Sequence, residues 1–150
     1  MCLITKSPVP RTAKRDFTVY KVLYVNNNYA GKGFTRLMAP VRGDTCYQFD
    51  RAYNELRFND PEHEAVVKMN ELSLNINGFD RTDERWKVSY GYHSCKNRRR
   101  AREMKKSLEG TRMLSGFTIV ECAVPKGSQY FEGCKGDICS NSIIINRIIE

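Results

Sequence analysis

Apolar positions run almost unbroken in some stretches of this chain, alternate with polar ones in another, and follow a helical period in one. Phe17 to Val25 (FTVYKVLYV) is rich in β-branched and aromatic residues and holds no breaker. It reads as a central strand in which Lys21 is the polar exception. The cluster Asn26, Asn27, Asn28 ends it, and Gly31 and Gly33 keep the connection open. Thr35 to Ala39 reads as a short strand stopped by Pro40, and Thr45 to Phe49 as its return after the Gly43-Asp44 turn. Trp86 to Tyr92 places Trp86, Val88, Tyr90 and Tyr92 in alternation with Lys87, Ser89 and Gly91, the pattern of a strand with one buried face.

The helical period lies further on. Asn97 is placed to cap a helix running to about Glu109 and closed by Gly110. Ala101, Met104 and Leu108 then share one stripe, while Arg98, Arg102, Lys105 and Lys106 gather on a neighbouring face. Residues 51–85 are more polar; Pro61 with acidic residues beside it suggests a second helix over Glu62 to Leu72. Met113 to Val124 reads as a strand interrupted at Ser115-Gly116, Pro125-Lys126-Gly127 as a turn, and Gln129 to Phe131 as a short extended piece. Ser142 to Ile149, with its run of isoleucines, suits a buried strand. Strands and helices do not alternate regularly, so the expectation is an α+β fold with a twisted, mostly antiparallel or split sheet. Its 150 residues fit a single domain spanning 1–150.

Composition sharpens the picture at a few points. A hydrophobic content of 41% with 11% aromatics separates the chain from disordered sequences. No stretch approaches the ~20 apolar residues of a membrane span, and Pro8, Pro10, Arg11, Lys14 and Arg15 follow the start at once. A cytoplasmic protein without membrane association is therefore expected. Reduced thiols are expected for Cys2, Cys46, Cys95, Cys122, Cys134 and Cys139. Cys134 and Cys139 lack the second close pair of a zinc site, so no metal and no cofactor is anticipated.

The formal net charge of +8 favours anionic partners. Arg98, Arg99 and Arg100 fall in the first turn of the Asn97 helix, where the macrodipole is already positive. An anion docked there would turn that penalty into attraction. The alternative is that the arginine stems cover apolar surface while their heads stay solvated. His93 and Ser94 sit between the preceding strand and this helix, from which a side chain can enter a cleft. Lys21, His93, Ser94, Arg98, Arg99 and Arg100 are thus the candidate ligand-binding residues, and no catalytic set is assigned.

Catalytic motifs are sparse. Cys95 lies close to a helix start and several arginines, which would favour its thiolate, but it has no base and orienter beyond His93. Nothing near His63 supports a catalytic role for it. Paired carboxylates, a phosphate-cradling loop and a dinucleotide fingerprint are absent, and Gly31-Lys32-Gly33 is too short to count.

The opening Met1-Cys2-Leu3, then VYKVLY, YGYHS, ECAVPKGSQYFEG and SNSIII, resemble a family of small uncharacterised proteins of gut Bacteroidales and their phages. That resemblance implies a phage or mobile-element accessory role, such as counter-defence or a virion component. The order of elements also resembles the ADP-ribosyltransferase-like fold. Lys21 stands where that fold has an arginine, His93-Ser94-Cys95 where it has Ser-Thr-Ser, and Ser142 near the place of its catalytic glutamate. Without that carboxylate, the shape is implied and the activity is not. The functional expectation is a non-catalytic binder of an anionic, nucleotide-like small molecule or of nucleic acid. The alternatives are a structural or virion-associated interaction protein and an enzyme of the transferase-like fold.

Overall fold

The computed structural model describes residues 3–26, 36–38, 46–58, 60–69, 85–112 and 116–150. Thirteen strands occur among them: β1 (Leu3–Thr5), β2 (Arg11–Thr12), β3 (Phe17–Asn26), β4 (Arg36–Met38), β5 (Cys46–Tyr47), β6 (Ala52–Asn54), β7 (Val66–Lys68), β8 (Trp86–Val88), β9 (Tyr92–Cys95), β10 (Phe117–Val124), β11 (Gln129–Glu132), β12 (Asp137–Ser140) and β13 (Ser142–Ile148). One α-helix, α1 (Arg98–Arg112), accompanies them. The result is an α+β fold dominated by antiparallel sheet, as the pattern of strands predicts.

The large sheet has the order β2-β11-β12-β9-β3-β10-β13-β6, with β4 and β5 extending from β3. Its centre is the pairing of β3 with β10, continuous from Phe17↔Val124 to Tyr24↔Phe117. A single residue, Asn141, joins β12 to β13, yet four inter-strand steps separate those strands in the order. In a flat sheet that gap would be roughly 19 Å, whereas the two residues flanking one residue lie within about 7 Å of each other. The sheet must therefore curl back on itself. Asn141 pins the corner: its N–H donates to the Gln129 carbonyl at 3.0 Å, its carbonyl accepts from Glu55 N–H at 2.8 Å, and its side-chain oxygen accepts from Gln129 N–H at 3.0 Å.

Curling gives the sheet an inside and an outside, and strand alternation assigns side chains to each. Val19 and Leu23 of β3, Val120, Cys122 and Val124 of β10, Ile138 of β12, and Ile143 and Ile145 of β13 form the inner core with Tyr47. On the outside, α1 packs Ala101 and Leu108 against Val22, Cys95, Phe117 and Ile119. Beside it, the small sheet β1-β8-β7 covers Phe131 and Cys139 with Leu3, Val88 and Phe58. Each fully buried aliphatic side chain of these cores contributes about 1.5–3 kcal/mol of transfer free energy.

Several expectations change. Trp86 to Tyr92 is not one strand: β8 belongs to the small sheet and β9 to the large one. Gly91 makes the break, with φ of 127° and so little room that an added Cβ would lie 2.5 Å from Cys139 Sγ. The alternation of side chains runs through this point, so periodicity alone does not reveal it. His93, Ser94 and Cys95, expected in a connection, lie in β9.

The helix expected over Glu62 to Leu72 is replaced, in its described part, by a short 3-10 turn at Pro61–His63 and by β7. Glu64 has φ of 48°, which ends helical geometry, and the β-branched Val66 and Val67 then pair with Val88 and Lys87. Helix α1 starts as expected, with Asn97 Oδ1 accepting from Arg100 N–H at 2.9 Å, but it runs through Gly110 to Arg112. The strand expected from Met113 begins, in its described part, at Phe117. Much of the span between Thr35 and Phe49 lies outside the described residues, as does the Gly31-Lys32-Gly33 segment.

Candidate functional site

The six candidate residues fall into two groups separated by the large sheet. Lys21 shares the inner face with Val19 and Leu23 and is only 8% exposed. Its Nζ donates to the His93 carbonyl at 2.5 Å and lies 5.5 Å from the centre of the Tyr47 ring. The register that opposes Tyr20 to Cys95 sets Lys21 across from Ser94. Ser94 also faces inward, opposite Ile138, and its buried Oγ has no hydrogen-bond partner among the described residues. His93 belongs to this group through its carbonyl alone, because alternation turns its imidazole to the outer face.

Electrostatics inside the curl run against a charged amine. No carboxylate among the described residues pairs with Lys21. Taking an ammonium out of water costs several kcal/mol even after relaxation. One hydrogen bond to a carbonyl returns about 1.5–3 kcal/mol and the Tyr47 ring about 2. Burial holds the Lys21 amine below its ordinary value of 10.5, with the Cys122, Cys139 and Cys95 sulfurs opposing the shift. Tyr47, Tyr53 and Tyr92 form a close trio near this core, with ring centres 5.1 to 6.5 Å apart.

The arginines occupy the outside. Arg98 lies over the Tyr20 ring at 5.7 Å and within 4.0 Å of Glu121. Arg99 points away from the body, its side chain 89% exposed, and meets Glu103 at 3.3 Å. Arg100 is the most enclosed of the three: its Nε donates to Asp137 at 3.0 Å and its second nitrogen lies 3.6 Å from Glu103. Further along, Arg102 pairs with Glu150, and Arg147 of β13 reaches Glu121 at 3.3 Å. Lys105 and Lys106 on the same helix have no ion pair among the described residues. The flank of α1 and the adjoining end of β13 thus form a cationic exterior in which Arg98, Arg102, Lys105, Lys106 and Arg147 outnumber Glu109, Glu121 and Glu150.

Cys95 is the opposite of an activated thiol. It is fully buried against α1, and burial, reinforced by Asp137, pushes its thiol up to about 12. Cys95, Cys122, Cys134 and Cys139 are free thiols, and only Cys134 is exposed. Among the described residues no group of His, Cys, Asp and Glu is arranged to hold a metal ion, and no helix is long and apolar enough to cross a membrane.

No family model, curated protein or solved structure matches this chain. The site must be read from its own geometry. Of the positions likened in the sequence to the transferase-like fold, Lys21 is committed to the His93 carbonyl inside the curl, and Ser142 is buried at the start of β13. One concavity escaped the sequence reading: a cleft of about 210 Å³ lined by Thr5, Ser7, Val9, Arg11, Tyr130 and Cys134, among others. None of the six candidate residues lines it. On its rim, Glu132 is held by Arg11 at 3.2 Å and by Lys96 at 2.7 Å, while Lys6 makes no ion pair among the described residues. The only signal for it in the sequence is the early basic run around Arg11.

Proposed function

We propose that this protein binds an extended, phosphate-bearing polyanion, in the first instance nucleic acid, along the outer flank of α1 and the end of β13. Supporting this above all is the excess of exposed cations there, with Lys105 and Lys106 free of ion pairs among the described residues. The opposite-face placement of Lys21 and Ser94 favours a long partner over one small guest, since no small molecule touches both faces of an intact sheet. Binding is sequence-independent in character: long flexible cations on a convex surface follow phosphates and do not read base edges. No bond is made or broken, and the protein acts by occupying its partner. In the phage or mobile-element setting that the family resemblance implies, the partner is nucleic acid in the host cytoplasm.

The test is removal of charge without reversal of shape. The combined variant Arg98→Gln, Arg102→Gln, Lys105→Gln and Lys106→Gln is expected to weaken binding to a generic duplex by about a hundredfold at low salt. Its circular dichroism should stay native. Unchanged affinity in a folded variant refutes the assignment, as does failure of the wild type to bind duplex or single strand at all.

A further inference from the structure

The polar groups inside the curled sheet are not explained by a binder that works on its outside. Lys21 Nζ, the Ser94 hydroxyl, the Tyr47 ring and the His93 carbonyl meet within walls made by Val19, Val120, Cys122 and Ile138. A purely structural role for this strand position would be filled more cheaply by Val or Ile, which neither lose hydration nor require a partner. Ser94 is 3% exposed and keeps a hydroxyl with no partner among the described residues. A buried, unspent hydroxyl opposite a buried amine marks a place where a further polar atom fits.

We propose that Lys21 is a concealed amine nucleophile that captures small aldehydes or ketones as an imine inside the curled sheet. In its unprotonated form the nitrogen keeps one N–H on the His93 carbonyl and offers its lone pair to the carbonyl carbon of the reagent. As the new C–N bond forms, the carbonyl electrons move to oxygen, which takes up the proton that nitrogen releases. Ser94, directly across the strand gap, hydrogen-bonds that hydroxyl. The hydroxyl then takes the remaining N–H proton, released from the His93 carbonyl, and leaves as water as the C=N bond forms, so amine plus carbonyl compound gives imine plus water with no oxidant or reductant. When the imine is protonated, the Tyr47 ring faces its positive charge. The groups that can titrate around the amine are Tyr47 on β5, Cys95 on β9, Cys122 on β10 and Cys139 on β12; burial pushes Cys95 and Cys122 up to about 12, so both stay neutral thiols. Lys21 is nearly buried, so the reagents considered are carbonyl compounds of a few heavy atoms.

Exposed lysines such as Lys14, Lys106 and Lys126 are ordinary competitors. The experiment treats the intact, folded protein at pH 7 with limiting acetaldehyde and cyanoborohydride, which reduces the imine to a stable ethyl group, and maps the modified lysines by mass spectrometry over time. Lys21 is expected to be ethylated at least about tenfold faster than Lys14, Lys106 and Lys126, the advantage expected of an amine that burial holds below its ordinary value and that Ser94 faces across the strand gap. Ser94→Ala should slow the Lys21 adduct several-fold and leave the exposed lysines unchanged. Ethylation of Lys21 at or below the exposed-lysine rate, or only after denaturant is added, overturns the proposal. An unchanged Lys21 rate in Ser94→Ala overturns the part given to Ser94.

Discussion

Lys21 and the arginines of α1 carry the same kind of group into opposite surroundings, and their fates differ accordingly. On the outside, each of Arg98, Arg99, Arg100 and Arg102 has a carboxylate within 4.0 Å and water nearby, so charge persists and a polyanion can exchange for those partners. Inside, Lys21 has a carbonyl, an aromatic ring and thiols, and no carboxylate among the described residues. Charge counted along a sequence is thus a poor guide to charge available to a ligand. The side of the sheet on which a cation falls decides whether it can recruit an anion or is held below its ordinary pKa.

The contrast can be pressed hardest at Lys21. Its amine is held below 10.5 in the folded state, so the folded protein resists protonation more than the unfolded chain does. Stability from this group is full above 10.5 and falls as pH drops toward the lowered folded value, by up to about 1.4 kcal/mol per unit, then levels off. Lys21→Met removes that slope. The variant should therefore gain on the wild type steadily as denaturation is repeated at successively lower pH below 10.5. Taking the difference between the two proteins also cancels the buried thiols of Cys95 and Cys122, whose contribution runs the other way and is lost as pH rises past 9.0. A constant difference across the range would mean that Lys21 titrates as an exposed lysine.

Smaller effects sharpen both halves. Arg100→Gln breaks the half-buried pair with Asp137 and should cost about 1 kcal/mol in chemical denaturation, while duplex affinity changes by less than about twofold, since Arg100 faces away from the flank assigned to the partner. Ser94→Ala removes a buried hydroxyl without a partner among the described residues and should stabilise the protein by about 1 kcal/mol, read from the same titrations. Arg99→Ala, at a fully solvated tip, should leave the melting temperature unmoved; a clear drop would show that its pair with Glu103 is structural.

Much of this architecture is legible in the sequence where local chemistry and tertiary demand agree. β3, β13 and the start of α1 follow from a breaker-free apolar run, an isoleucine cluster and the Asn97 cap. The small β7 strand was hidden because Pro61 and Glu62 imitate a helix start, while the deciding fact, the positive φ of Glu64, is set by tertiary context. The division of Trp86 to Tyr92 between two sheets depends on Gly91 lying against Cys139, a contact 48 residues away along the chain. Lys21, His93 and Ser94 were recognisable as an unusual polar group, and they do meet. Their separation from Arg98, Arg99 and Arg100 was not recognisable, because it depends on the pairing of Tyr20 with Cys95 and on which face α1 covers.

The most direct test of the two-sided assignment is the salt dependence of duplex binding, measured by fluorescence anisotropy for the wild type and Lys21→Met in parallel. If Arg98, Arg102, Lys105 and Lys106 each neutralise a phosphate, the logarithm of the association constant should fall with the logarithm of salt at a slope of about −3.6, and the two proteins should trace the same line. A slope near zero, or loss of binding in a folded Lys21→Met variant, would contradict the placement of the polyanion on the outer flank.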